Sequence, residues 1–165
     1  MSGPDPIDGA RSAEATGMRS LDVRVVDVAG SGEFVPGYSN EGDGAVDLRA
    51  SRSMSLGPGE RAMVPCGISI AIPEGHAGLV IPRSGLAINH GITVLNAPGL
   101  IDSGYRGEVK VILLNTDDER AYDIEQGDRI AQLMVVEAPR MRFVRTDALD
   151  ETRRGVKGFG STGTA

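Results

Sequence analysis

The sequence predicts an all-β domain of the sandwich, jelly-roll or barrel kind, and three observations predict it. Short runs rich in Val and Ile recur along the chain, several of them alternating apolar with polar residues. The 23 glycines and 9 prolines among 165 residues punctuate those runs and leave little room for long helices. No window of about 11 to 18 residues carries an apolar stripe at helical spacing.

The elements follow in order. Residues 1–20 are small and polar with no hydrophobic period and read as a disordered leader, with Met18 a second possible start. From Leu21 the pattern is β: Leu21, Val23 and Val25 alternate with Asp22 and Arg24. Strands are expected at Arg61–Val64, Ile68–Ile72, Gly78–Ile81, Ile92–Leu95, Val109–Leu114, Ala121–Ile124, Ile130–Val136 and Met141–Val144. Turns fall at Leu56–Glu60 and Glu125–Asp128. Short helices fit just after Pro82 and around Asp147–Arg153. The body is expected to span 21–150. Residues 151–165 hold a Gly-rich segment with one aromatic, Phe159, and read as a flexible tail or an arm that orders on a ligand.

Charge and composition narrow the function. A net charge of −6 and a pI near 4.9 lack the basic footprint of a nucleic-acid or anionic-membrane binder. An anionic ligand must therefore be held by a local site. The single cysteine, Cys66, excludes an intrachain disulfide and a Cys-rich zinc site. Two histidines, His76 and His90, leave little room for imidazole chemistry. No apolar stretch approaches the ~20 residues that span a bilayer, and no apolar signal core is visible. A soluble, cytoplasmic protein is the expectation.

Five segments carry candidate chemistry. Asp47, in Gly44–Leu48, sits between apolar residues of an expected strand, either solvated or turned toward a cation's water shell. Pro82–Ala87 places Arg83, Ser84 and Gly85 in one turn, a phosphate cradle or an ordinary strand end. In Gly99–Glu108, Asp102 is a turn-forming residue or a general base, and Tyr105 a core aromatic or a ligand contact. Asn96, just before, offers a donor and an acceptor that match a pyrimidine edge. Gln132 is a polar group inside an apolar strand. In the tail, Arg154 suits a phosphate, Ser161, Thr162 and glycine N–H groups suit its oxygens, and Phe159 suits a base.

Taken in order, Ala45–Leu48, Pro82–Ala87, Gly99–Glu108, Gly127–Leu133 and Arg154–Gly163 resemble the five motifs of the homotrimeric dUTPase family, over a span from about Leu21 to Gly163. The resemblance implies a distorted jelly-roll and hydrolysis of dUTP to dUMP and pyrophosphate with magnesium. It makes Asp102 the general base that deprotonates the attacking water. Tyr105 packs on the deoxyribose. Asn96 and the backbone of Leu100 and Ile101 read uracil. Arg83, Ser84, Gly85 and Gln132 contact phosphates, and Lys110 contributes to the substrate pocket. Asp47 reaches magnesium through water. Arg154, Phe159, Gly160, Ser161 and Thr162 form a closing arm, and a trimer shares its sites between subunits.

Two departures stand out: Gly44-Ala45 replaces the usual Ala-Gly, and Lys157 replaces a glycine of the fifth motif. The dCTP deaminases of the same superfamily have an Arg-Ser-Ser second motif and a catalytic Glu, whereas this chain has Arg83-Ser84-Gly85 and the full Phe159 arm. A non-catalytic nucleotide-binding regulator with the same fold is the other alternative.

Overall fold

The computed structural model describes residues 20–152 and 155–156. The expected leader, and most of the expected arm, lie outside them. Among the described residues ten strands and one helix run in the order β1 (Arg24–Asp27), β2 (Val46–Arg49), β3 (Met54–Leu56), β4 (Arg61–Ala71), β5 (His76–Ile81), α1 (Ser84–His90), β6 (Ile92–Val94), β7 (Gly99–Asp102), β8 (Glu108–Asn115), β9 (Tyr122–Ile124) and β10 (Arg129–Glu137). One sheet has the order β1-β4-β8-β6, a second β2-β10-β5-β7, and β3 pairs with β9 in a small ribbon. Every pairing is antiparallel. Buried residues of both large sheets join one cluster, so the sheets are two layers over a shared core, the jelly-roll-like arrangement expected. No helix among the described residues is long and apolar enough to cross a membrane.

Alternation builds the layers. In β8, Val109, Val111 and Leu113 point inward and are at most 1 % exposed, between neighbours that are not. Each such side chain contributes about 1.5–3 kcal/mol by leaving water. Asn115 continues the inward row as a buried polar group. Its amide donates to the carbonyls of Leu56 (3.1 Å) and Arg120 (2.8 Å), and its Oδ1 accepts from Asp117 N–H (3.0 Å).

The two strands expected at Arg61–Val64 and Ile68–Ile72 are one strand, β4, with an irregularity between Pro65 and Ser69. Gly67 makes that bulge possible. Its φ is +70°, and a Cβ there would come within 2.9–3.0 Å of Ser51, Ala29 and Phe34 side-chain atoms. Its carbonyl accepts from Val28 (2.9 Å) and Ala29 (3.1 Å), and its N–H donates to Glu108 Oε1 (3.0 Å).

Other expectations are corrected. Gly99–Asp102, not among the expected strands, is a strand because β5 offers it a free edge. Met54–Leu56 is also a strand, unforeseen, through its pairing with β9. Met141–Val144 alternates like a strand but is irregular and exposed, with nothing among the described residues to cover Met141, Phe143 or Val144. No helix forms over 147–152. The helix after Pro82 is present and stops at Gly91, whose φ of 65° lets its N–H close back on Ala87 O at 3.1 Å.

Candidate active site

Three strands bring the first, second and fourth motifs together. Gln132 of β10 faces Asp47 of β2 on one side and Ile81 of β5 on the other. Arg83 follows two residues beyond Ile81 and opens α1 as its N-cap. The Asp47 side chain is 14 % exposed and lies between two guanidinium groups. Arg83 Nε is 3.1 Å from its Oδ1 and Arg129 NH1 is 3.4 Å from its Oδ2. Arg83 is held again through NH1, which donates to the Arg129 carbonyl at 2.9 Å. Despite the nearby guanidinium, Oδ1 is buried and accepts no hydrogen bond, because the Arg83 contact lacks the alignment for one. Ser84 and Gly85 lie exposed in the first turn of α1, and the space where Gly85 would carry a Cβ is open. Asp47, Arg83, Arg129 and Gln132 line an open cleft of about 510 Å³, with Asn40 and Asp43 at its mouth.

Arg129 escaped the sequence reading. It stands in the fourth motif beside Gln132, but its link to Asp47 depends on the register of β10 against β2, which no local pattern reveals.

A second group lies on β7 and the turn into β8. Asp102 ends β7, exposed, and its carboxylate makes no hydrogen bond or ion pair among the described residues. Its carbonyl accepts from Tyr105 N–H at 3.0 Å, and Arg106 NH1 closes the turn by donating to the Ser103 and Tyr105 carbonyls, both at 2.6 Å. Tyr105 is not a core residue. Its ring is 44 % exposed and its hydroxyl donates to the Glu108 carbonyl at 2.9 Å. Asn96 is exposed with its amide against Gly99, and Leu100 is exposed beside Ile101. Lys110 is exposed, with Nζ 3.8 Å from Glu108 Oε2.

The two groups do not meet within one chain. Asp102 is opposite Ala77, and Ile81 is four residues further along the same strand, about 13 Å away. Neither Asp102, Tyr105 nor Asn96 lines the Asp47–Arg83 cleft. Arg154, Phe159, Gly160, Ser161 and Thr162 lie outside the described residues. Among the described residues no three His, Cys, Asp or Glu side chains cluster as a metal cage. A partly buried carboxylate with one oxygen that accepts no hydrogen bond fits instead an ion that brings its own oxygens, as magnesium does on a triphosphate.

The described residues form an antiparallel β sandwich with an acid–guanidinium cleft and a separate hairpin whose Asp102 carboxylate is unpaired among them, and comparisons with known proteins give the chain its relatives. The dUTPase family model matches residues 34–163. The deoxyuridine 5'-triphosphate nucleotidohydrolase of Leifsonia xyli is 52 % identical over 138 residues, covering 84 % of this chain and 91 % of that protein. The one of Thermobifida fusca is 52 % identical over 129 residues, covering 78 % and 72 %. Among solved structures, the Staphylococcus bacteriophage 80alpha dUTPase with dUpNHpp superposes with a TM-score of 0.79 at 25 % identity, covering 87 % of this chain and 99 % of that one. The dUTPase of S. aureus phage phi11, whose structure concerns coordination of a structural Mg(II) ion, shares the fold with a TM-score of 0.72 at 21 % identity, covering 78 % and 98 %. The chain belongs to the dUTPase family.

Proposed function

We propose that this chain, a dUTP diphosphatase by family, holds the triphosphate of dUTP over Asp47, Arg83 and Gln132 of one copy and cleaves it with Asp102 of another. The observation that carries the reading is the separation just described. The phosphate-binding cleft and the hairpin base lie apart on one chain, and neither is a complete site. A second copy supplies the missing half. Met63, Ile88 and Leu100 are exposed in a single chain, apolar surface that such an assembly would cover. A homotrimer with shared sites accounts for both facts.

In the reaction, a water attacks the α-phosphorus in line, the bond to the bridging oxygen of the β-phosphate breaks, and pyrophosphate leaves. Asp102 orients that water and takes its proton, help typically worth ~10²–10⁴-fold. Arg83 is fixed at two points by Asp47 and the Arg129 carbonyl, so it meets the phosphate oxygens without first losing side-chain freedom. Ser84 and Gly85 add donors beside it. Magnesium carried on the triphosphate would neutralise phosphate charge, with Asp47 holding its water shell through the unbonded Oδ1. Asn96 with the Leu100 and Ile101 backbone reads uracil, Tyr105 lies against the deoxyribose, and Lys110 borders that pocket. Arg154, Phe159, Gly160, Ser161 and Thr162 close the site as a donated arm, which excludes water. A cytoplasmic location completes the reading.

The test is complementation, read as pyrophosphate release from dUTP. Asp102→Asn chains bind a non-hydrolysable dUTP analogue and turn over about 10²-fold more slowly or worse. Chains truncated after Asp150 are also weak. Co-refolded mixtures regain activity, because some sites combine an intact Asp102 with an intact arm. A mixture that shows only the average of its parents, once subunit exchange is verified, refutes sharing.

A further inference from the structure

We infer that Gly107 is a specificity-determining residue of this site: it is the seat on which the Tyr105 ring rests, and its missing side chain sets where that ring meets the sugar. The inference rests on the reading of Tyr105 as the sugar contact. A Cβ placed on Gly107 would lie 2.5 Å from Tyr105 Oη, 2.8 Å from Cζ and 3.1 Å from Cε2. The hydroxyl-bearing end of the ring therefore lies directly on the glycine backbone. The backbone does not itself demand glycine at position 107, since its φ is outside the left-handed region, and the three atoms nearest a Cβ there all belong to the Tyr105 ring. Gly104, in the same turn, makes the contrast, since a Cβ there meets nothing within 4 Å.

The ring is anchored at both ends. Its backbone is fixed by the N–H bond to the Asp102 carbonyl and by Arg106, which donates to the Tyr105 carbonyl. Its far end is fixed by the hydrogen bond from Oη to the Glu108 carbonyl, the first residue of β8. A methyl group at 107 would break that bond and lift the ring by about 1 Å to restore an ordinary contact of 3.4 Å or more. Misplacement on this scale can cost as much as ~10²-fold when a positioning contact is disturbed. Because Tyr105 excludes a 2′-hydroxyl by contact, the cost falls on dUTP, and UTP, already excluded, loses less.

The experiment is a double-mutant cycle on full-length protein, with kcat/KM for dUTP and UTP and a thermal melt for each variant. Tyr105→Ala alone tests the sugar reading, and an unchanged dUTP preference there sinks that reading and this inference with it. With the reading intact, Gly107→Ala is expected to melt as a folded protein and to lower the dUTP-over-UTP preference by about tenfold. In the Tyr105→Ala background the same change is expected to alter the preference by less than about twofold, because the group it displaces is gone. A folded Gly107→Ala protein with full preference, or an equal loss with and without Tyr105, overturns the seat while leaving the sugar reading standing. Should Gly107→Ala fail to fold, Tyr105→Phe combined with Gly107→Ala removes the atom at 2.5 Å and is expected to fold with a weakened preference. If that protein is also unfolded, or keeps full preference, the inference is wrong.

Discussion

Arg83 donates to the backbone carbonyl of Arg129 at 2.9 Å, and the two guanidinium groups share one carboxylate, Asp47. The first, second and fourth motifs are thus one object before any substrate arrives. Two cations around the single carboxylate of Asp47 concentrate positive charge at that point of a chain that is acidic as a whole, with Asp43 on the same cleft as a further acid.

Arg83→Lys is expected to behave as a damaging change despite keeping the charge. An ammonium cannot hold Asp47 and the Arg129 carbonyl and also present donors in a fixed plane to phosphate. We expect kcat/KM for dUTP to fall roughly 10- to 100-fold, equivalent to about 1.4–2.8 kcal/mol. The melting temperature should stay near wild type, since the ion pair is partly solvated. Steady-state pyrophosphate release with a parallel melt checks both halves.

Asn115→Ala is expected to be a stability variant. It strands the carbonyls of Leu56 and Arg120 and the N–H of Asp117, all now bonded to one buried amide. The cost is about 2–4 kcal/mol. The urea midpoint should drop with an unchanged m-value, and a midpoint at the wild-type position would show that water replaces the amide fully.

Cys66 ties stability to alkaline pH. Burial, with a smaller push from the Glu108 carboxylate, moves its thiol from an ordinary value of 9.0 up to about 12. Below pH 9 the thiol is protonated in both folded and unfolded chains and its contribution is fully present. Between pH 9 and about 12 only the unfolded thiol ionises, so stability falls with rising pH. Tyr122, whose phenol burial also pushes up, acts in the same sense. Comparing urea midpoints of wild type and Cys66→Ala near pH 8 and near pH 10.5 isolates the thiol, and the gap between the two proteins should shift in favour of the variant at the higher pH. A gap that does not move with pH removes Cys66 from the alkaline loss.

Much of this was legible in the sequence. The inward row of β8 follows from alternation alone, and the layered sheets from short Val- and Ile-rich runs. Asp47 and Gln132, singled out as polar groups inside apolar strands, and Arg83, singled out in a turn with Ser84 and Gly85, meet at one cleft. What was not legible depends on partners distant in sequence. Gly99–Asp102 has two apolar residues and becomes a strand only because β5 has an unpaired edge. Arg129 acquires its partner through β10 register. Tyr105 reads as core by residue type, yet its hydrogen bond to Glu108 holds it at the surface. Met141–Val144 has the pattern of a strand and finds no neighbour in a single chain.

The span between Asp47 and Arg129 is 82 residues, and their contact exists only once β10 has been laid against β2. The Asp47–Arg83 cleft is therefore a late event in the life of each molecule. A nascent chain that has delivered Asp47 and Arg83 from the ribosome still lacks the ladder that joins them, and loop closure on that scale comes after local hairpins have formed. On the shared-site reading, partial translation products and early folding species are blind to nucleotide, and binding of a triphosphate analogue reports that the sandwich is complete and that copies have assembled.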